Sequence, residues 1–240
     1  MTGNNYKGKF IVFEGLDGSG KATQVRLLVE HLEKQGHKVR KVDFPRHGES
    51  PAFFVDAYLN GKYGTAEEVG PFRGSIFYTL DRYDAGFDIK RWLEQGEIII
   101  ADRYIASNIG HQGGKIKDRE ERKKYFDWLY DLEYNLFEIP KPNITFILKT
   151  SPELSLKMAN KITNEEKKER RKSYLGDDKK QDIHEKDSSH QADTLESYLQ
   201  AAEVFPKEFR VVECVENNNM LPSTKIHEKI WKIIKQELQL

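Results

Sequence analysis

Apolar positions along this chain of 240 residues recur with two periods, and the alternation between them sets out a fold. Lys9 to Glu14 (KFIVFE) is a short aromatic and β-branched run, the pattern of a strand buried on both faces. From Lys21 the spacing changes. Val25, Leu28, Val29 and Leu32 fall three and four apart, which predicts a helix that Gly36 would cap. A second strand is predicted over 38–44, ended by Pro45, and helical patterns over 51–60 and 66–95 follow, separated by Gly61 and Gly64. GEIIIADRY (96–104) reads as a third strand with charge at its end. Residues 118–138 predict a long amphipathic helix carrying Trp128, Leu129 and Leu132. KPNITFILKTS (141–151) and FRVVECV (209–215) make five strands, and a helix closes the chain to Leu240.

Strands alternating with helices imply the α/β class: a five-stranded parallel sheet covered by helices on both faces, here as one domain over 1–240. Ligands of such sheets bind beyond the carboxyl ends of the strands, where FPRHG, DRY and a glycine-rich turn fall. One segment departs from the pattern. Residues 161–189 (KITNEEKKERRKSYLGDDKKQDIHEKDSS) are dense in charge and nearly free of large apolar groups, so they read as a charged insertion, either a solvated excursion or a lid.

Composition narrows the function classes. Thirty-nine basic and 39 acidic residues balance, so no basic surplus points to nucleic acid. The longest aliphatic run, Ile98 to Ala101, is far too short to span a membrane. Cys214 is the single cysteine, which excludes an internal disulfide and fits a reducing compartment. MTGNNYKGK lacks a signal-peptide apolar stretch, and the expectation is a soluble, cytoplasmic protein.

The candidate chemistry begins at FEGLDGSGKAT (13–23). Gly15, Gly20 and Lys21 match the spacing of a phosphate-binding loop, between a predicted strand and a predicted helix. Its glycines let backbone N–H groups turn toward phosphate oxygens, the helix start adds a positive end, and Lys21 reaches further phosphates. The pattern then asks for a hydroxyl, where the chain has Ala22; Thr23 comes one residue late. In DRY, Asp102 ends a strand, as an acid orienting the water shell of Mg²⁺ would, or as half of a strand-end ion pair. Arg46, Arg82 and Arg103 offer planar donor forks for phosphate. Of Phe77 and Tyr78, one is expected to pack and the other to face a cleft one turn from Arg82, stacking on a base. SNIGHQGGK (107–115) reads as a loop offering Asn108, His111 and Gln112, with His111 either a ligand contact or a plain loop residue. Zinc-ligand spacing and a Ser–His–Asp constellation are absent from the sequence.

Taken in order, FEGLDGSGK, FPR (44–46), LDR (80–82), DRYIASN (102–108), HQGG (111–114) and IPKPN (139–143) make the chain similar to thymidylate kinases, P-loop nucleoside monophosphate kinases. The weaker DIHEKD (182–187) extends the resemblance toward the C-terminus. It implies a P-loop NTPase fold with the charged insertion as lid, ATP and Mg²⁺ as cofactors, and dTMP as acceptor. The loop Gly15, Asp17, Gly18, Ser19, Gly20, Lys21, Ala22 and Thr23 would hold ATP, with Asp17 also near the acceptor sugar or the metal. Arg46 would bridge donor and acceptor phosphates, Tyr78 would stack on thymine, Arg82 would meet the base edge, and Arg103 would bind the monophosphate. Asn108 and Gln112 would lie by the base. His111 replaces a tyrosine that disfavours a 2′-OH, which opens the alternative of another acceptor, dUMP or a ribonucleotide. Asp17, Asp102 and Glu185 would hold Mg²⁺, partly through water, and Arg170 or Arg171 would act from the lid. Asn143 stands where Asp is common and is expected to be structural. A homodimer through 70–95 or 118–138 is implied. Ala22 leaves a second alternative, a nucleotide binder without kinase activity.

Overall fold

The computed structural model describes residues 6–161 and 188–240. Five strands, β1 (Lys9–Gly15), β2 (Val39–Asp43), β3 (Ile98–Asp102), β4 (Ile144–Lys149) and β5 (Phe209–Glu213), form one parallel sheet in the order β2-β3-β1-β4-β5. β1 lies at its centre, with Phe13 opposite Asp102 of β3 and Phe146 of β4.

Because β1 is buried on both sides, its residues serve two cores. Phe10 and Val12 join Ile99, Ala101 and Ile147 beneath helices α3 (Ala66–Glu94), α4 (Ile105–His111), α5 (Arg119–Tyr130) and α7 (Ser188–Val204). Ile11 and Phe13 join Ile100, Phe146 and Leu148 beneath α1 (Lys21–Lys34) and α8 (Ser223–Leu238). Ile226, Ile230, Ile234 and Leu238, four apart, give α8 its buried stripe. Two short helices complete the set, α2 (Phe53–Leu59) and α6 (Pro152–Lys161).

The five strands and their parallel pairing match the sequence expectation, and three details differ. The helical pattern over 66–95 is kinked at Gly70, where φ is 73° and Pro71 follows without an N–H. The helix expected over 118–138 stops at Tyr130 and continues as a wider π-turn segment, Asp131–Leu136. The stretch read as a loop over 107–115 instead carries most of α4. Ile105, Ala106 and Ile109 of that helix are buried, and a Cβ on Gly110 would meet the Tyr198 ring at 2.5 Å. A small hairpin, β6 (Val215–Glu216) and β7 (Asn219–Met220), turns through Asn217 and Asn218, both left-handed.

The π segment holds a buried ion pair that fixes α3. Glu133 is fully buried, accepts Nε of Arg82 at 3.0 Å and also accepts Nη2, and takes the Thr79 hydroxyl at 2.8 Å. Asn143, at the entry to β4, closes the sheet's other end: its Oδ1 accepts the Phe10 N–H at 2.7 Å, the structural part expected of it. Removing one partner of a buried pair strands the other charge. Glu133→Ala is therefore expected to lower unfolding free energy by about 3–5 kcal/mol in chemical denaturation. A loss below about 1 kcal/mol would mean that Arg82 finds another counter-charge.

Candidate active site

The site lies where β1 and β3 end side by side. The β1–α1 turn needs glycine at Gly18 for lack of room and at Gly20 for its left-handed backbone. At Gly18 (φ 86°) a Cβ would sit 2.2 Å from the Ser155 carbonyl oxygen of α6, and at Gly20 (φ 94°) the space above the backbone is open. Gly20 caps α1 without a side chain, so the first-turn N–H groups of Lys21, Ala22 and Thr23 point out of the helix with its positive end. Ser19 Oγ is buried with no partner among the described residues, which leaves a donor over inside the loop. This is an anion cradle that fits polyphosphate.

Lys21 is nearly buried and donates to the carbonyls of Gly15 (3.1 Å) and Leu16 (3.0 Å), with Asp17 at 4.0 Å. Burial, and next the Arg103 guanidinium, push its pKa down to about 8, against the pull of Asp17, Asp102 and Glu14.

Arg103 follows β3 with φ 68°, a left-handed conformation that costs a non-glycine residue about 1–2 kcal/mol. The turn swings its side chain back over β1. Nη2 donates to Asp17 Oδ1 at 2.5 Å, and Nη1 reaches Ser107 Oγ at 3.3 Å and His111 Nε2 at 3.1 Å. A guanidinium can only donate, so Nε2 of His111 is its acceptor, and the His111 proton lies on Nδ1, 3.4 Å from Nε2 of His190.

Arg46 lies on the outer side, aimed by α3. Asp81, buried, accepts its backbone N–H (3.0 Å) and Nε (2.8 Å), and Asp84 accepts Nη2 at 2.8 Å. Arg82 does not share that rim. It is 1% exposed and committed to Glu133, with Nη1 3.5 Å from the Tyr104 carbonyl. Phe77 packs against Phe54, Tyr58 and Tyr63, while half-buried Tyr78 stands edge-on to Tyr58. Asn108 donates to the Ser75 carbonyl at 3.2 Å, and buried Gln112 accepts Lys115 Nζ at 2.8 Å through Oε1, against Gly74.

The arrangement thus brings together Lys21, Asp17, Arg103 and His111, and leaves Arg82, Asn108 and Gln112 as buried supports beside them. Arg170, Arg171 and Glu185 lie outside the described residues, as does nearly all of the charged insertion. Sequence reasoning missed Glu14, Asp81, Ser107, Lys115, His190 and Tyr198. Asp81 and Ser107 stood inside quoted motifs, but His190 and Tyr198 carried no local signal. Among the described residues no group of three or more His, Cys, Asp or Glu could hold a metal. The donors offered are Asp17 and Asp102, which suits Mg²⁺: it takes one or two carboxylates and completes its shell with phosphate oxygens and water.

Three comparisons bear on this geometry. The family model described as thymidylate kinase matches residues 13–230. The chain is 31% identical to the probable thymidylate kinase of Thermococcus kodakarensis, covering 87% of this chain and 90% of that protein. It is 29% identical to the thymidylate kinase of Bifidobacterium longum (strain NCC 2705), covering 97% and 98%. Among solved structures, thymidylate kinase from Candida albicans superposes with a TM-score of 0.68 at 23% identity, over 95% of this chain and 92% of that one.

The depressed Lys21 pKa generates a prediction. Above about pH 8 the amine loses its proton in the free protein. A bound triphosphate favours the ammonium and raises that pKa, so ligand binding near pH 9 should take up close to one proton. Titration calorimetry in two buffers of different ionisation enthalpy reads that uptake directly. Lys21→Met should abolish it. Buffer-independent enthalpy at pH 9 in the unaltered protein would contradict the assignment.

Proposed function

The chain belongs to the thymidylate kinase family, enzymes that phosphorylate dTMP, and from that premise we propose that it transfers the γ-phosphoryl group of Mg·ATP to dTMP, giving dTDP and ADP for dTTP synthesis. The observation that carries this reading is Asp17, whose Oδ1 lies 2.5 Å from Arg103 and 4.0 Å from Lys21. A cation from the phosphate loop and a cation from the neighbouring strand end meet on one carboxylate, so donor and acceptor phosphates bound by them would face each other.

On this reading the loop N–H groups and Lys21 hold the ATP phosphates, and Arg103 holds the dTMP phosphate. A dTMP phosphate oxygen forms the new bond to the γ-phosphorus as the bond to the β–γ bridging oxygen breaks, with no enzyme-bound intermediate. Catalysis is in-line positioning and charge neutralisation. Arg46, aimed by Asp81 and Asp84, reaches toward both phosphates. Mg²⁺, held by Asp17 and Asp102, supplies charge neutralisation when bound. Tyr78 stacks on the base, and Asn108 and Gln112 support the wall beside it from their buried positions against Ser75 and Lys115. The glutamate and arginines of the charged insertion, Glu185, Arg170 and Arg171, keep the metal and lid parts that the resemblance implies.

No described helix is long and apolar enough to cross a membrane. A homodimer fits the outer face of α3, where Phe72, Ile76, Tyr83 and Phe87 are exposed at helical spacing and Phe137 packs on Tyr83. Such a stripe is more than single scattered apolar residues account for.

ADP production with dTMP, dUMP, the ribose analogue of dTMP, UMP, CMP, AMP and GMP tests the activity. Turnover with dTMP is expected at about 1 s⁻¹ or faster, with little for the others. Preference for another acceptor would move the specificity argument to His111, and binding of both substrates without turnover would favour a pure nucleotide binder. Asp102→Asn should lose activity by about 100-fold or more, while Ala22→Thr changes it only a few-fold. Near-wild-type turnover in Asp102→Asn would overturn the two-carboxylate metal site. In sedimentation, Phe87→Glu should give monomers if α3 is the dimer face.

A further inference from the structure

Glu14, the penultimate residue of β1, stands three residues before Asp17 and has no part in the phosphate chemistry above. It is nonetheless fully buried and accepts three hydrogen bonds. Oε1 takes the Tyr104 N–H at 2.8 Å, and Oε2 takes the hydroxyls of Ser107 at 2.7 Å and Tyr198 at 2.9 Å. We propose that Glu14, through Ser107 and with Tyr198, is a positioning unit that sets the Arg103 guanidinium for the acceptor phosphate. The inference rests on the reading above that Arg103 binds that phosphate.

The geometry runs in two branches. The first acts on the backbone. A left-handed arginine persists only where its surroundings over-determine it. Here the two peptide N–H groups that bracket the strained φ/ψ pair are pinned to consecutive residues of β1: Arg103 N–H to the Phe13 carbonyl at 2.9 Å, and Tyr104 N–H to the Glu14 carboxylate. The backbone bond continues the β1–β3 ladder, but the second bond exists only because residue 14 carries an acceptor of that length. The second branch acts on the side chain. Ser107 lies one turn into α4; its hydroxyl proton is committed to Glu14, which turns its oxygen toward Arg103 Nη1 at 3.3 Å. Tyr198, from α7, supplies the third donor and a wall of α4 (its ring fills the space that a side chain at Gly110 would need).

The chemistry calls for a carboxylate. Three donors converge on its two oxygens, and the backbone N–H among them cannot reverse its role. Burial raises the Glu14 carboxyl's pKa on balance, against the Arg103 charge and the three hydrogen bonds, which draw it down. A glutamine would keep the shape, lose the charge and present an N–H₂ where two hydroxyls now donate. Each hydroxyl would have to reverse its role and accept from that N–H₂, and the Ser107 proton, no longer committed, would be free to turn the hydroxyl's lone pairs away from Arg103.

The test uses the full chain with Glu14→Gln, Ser107→Ala, Tyr198→Phe, Arg103→Met and the double variant Ser107→Ala/Arg103→Met. KM for dTMP and for ATP are measured, with dTMP Kd by calorimetry. Glu14→Gln and Ser107→Ala are expected to weaken dTMP about tenfold while the ATP KM stays within about twofold. In the Arg103→Met background, Ser107→Ala should add nothing, because its effect passes through the guanidinium. If Glu14→Gln fails to fold, Ser107→Ala and Tyr198→Phe carry the test, with Tyr198→Phe the milder. Equal losses for both substrates, or a Ser107→Ala loss that persists without Arg103, would overturn the proposal as a general structural defect. Unaltered protein that binds no dTMP, or an Arg103→Met variant that binds it normally, would instead overturn the assignment of Arg103 itself. Wild-type values for Glu14→Gln and Ser107→Ala beside a damaged Arg103→Met would overturn only the positioning role.

Discussion

The carboxyl ends of two adjacent parallel strands hold a compensated charge cluster, and the architecture of the site follows from it. Lys21 and Arg103 are nearly buried there, and Glu14, Asp17 and Asp102 act on the Lys21 ammonium with opposite sign. A lone buried ion costs several kcal/mol even after relaxation. Two cations can therefore stand ready for phosphate only where carboxylates already balance them. An incoming phosphate carries the same sign of charge as Asp17. On the proposed reading, phosphate binding would exchange one counter-charge for another, and displaced Asp17, whose side chain is 58% exposed, would return to solvent.

That constraint explains the peculiarities of the local backbone. β3 ends at Asp102, opposite Phe13, and β1 runs on past it to Gly15, so the turns after both strands open at one end of the sheet. The turn after β1 must pass beneath α6 without a side chain at Gly18, so that the start of α1 opens toward the same point. The chain leaving β3 must double back at once, which is why a left-handed arginine is retained there in spite of its cost. The second tier of groups exists to hold these choices: Asp81 aims Arg46, Glu133 neutralises Arg82, and Lys115 fixes which end of the Gln112 amide is oxygen, since an ammonium only donates.

The sequence displayed the first tier and hid the second. Strands were legible because a sheet covered on both faces forces continuous apolar runs, and the phosphate loop because its glycines are steric necessities with fixed spacing. The α4 helix was not legible: its seven residues are too few to show a period, and Gly110 and polar neighbours gave it the composition of a loop. Glu14 was quoted inside a motif, yet nothing one-dimensional says that Tyr198, 184 residues away, donates to it. Arg82 shows the opposite error of scale. Its distance from Tyr78 suggested a ligand-facing fork, but Glu133 lies 51 residues later in a π segment, and only the packed structure shows that the fork is already filled.

The missing hydroxyl at Ala22 can be weighed against the same charge cluster. On the proposed reading, a hydroxyl at position 22 would contribute one neutral oxygen to Mg²⁺, whose other partners would be phosphate oxygens, carboxylates and water. Losing it removes one dipole and leaves the charge balance intact. Losing Asp17 or Asp102 would remove a full negative charge beside two nearly buried cations and so change the pKa of Lys21. In a cluster held together by compensation, the net charge of the set governs binding, and a neutral ligand is the member that water can replace at least cost. Ala22 is exposed at the first turn of α1, where water could take the part a hydroxyl would play. The departure from the loop pattern therefore falls at the position where the physics of the site tolerates it best.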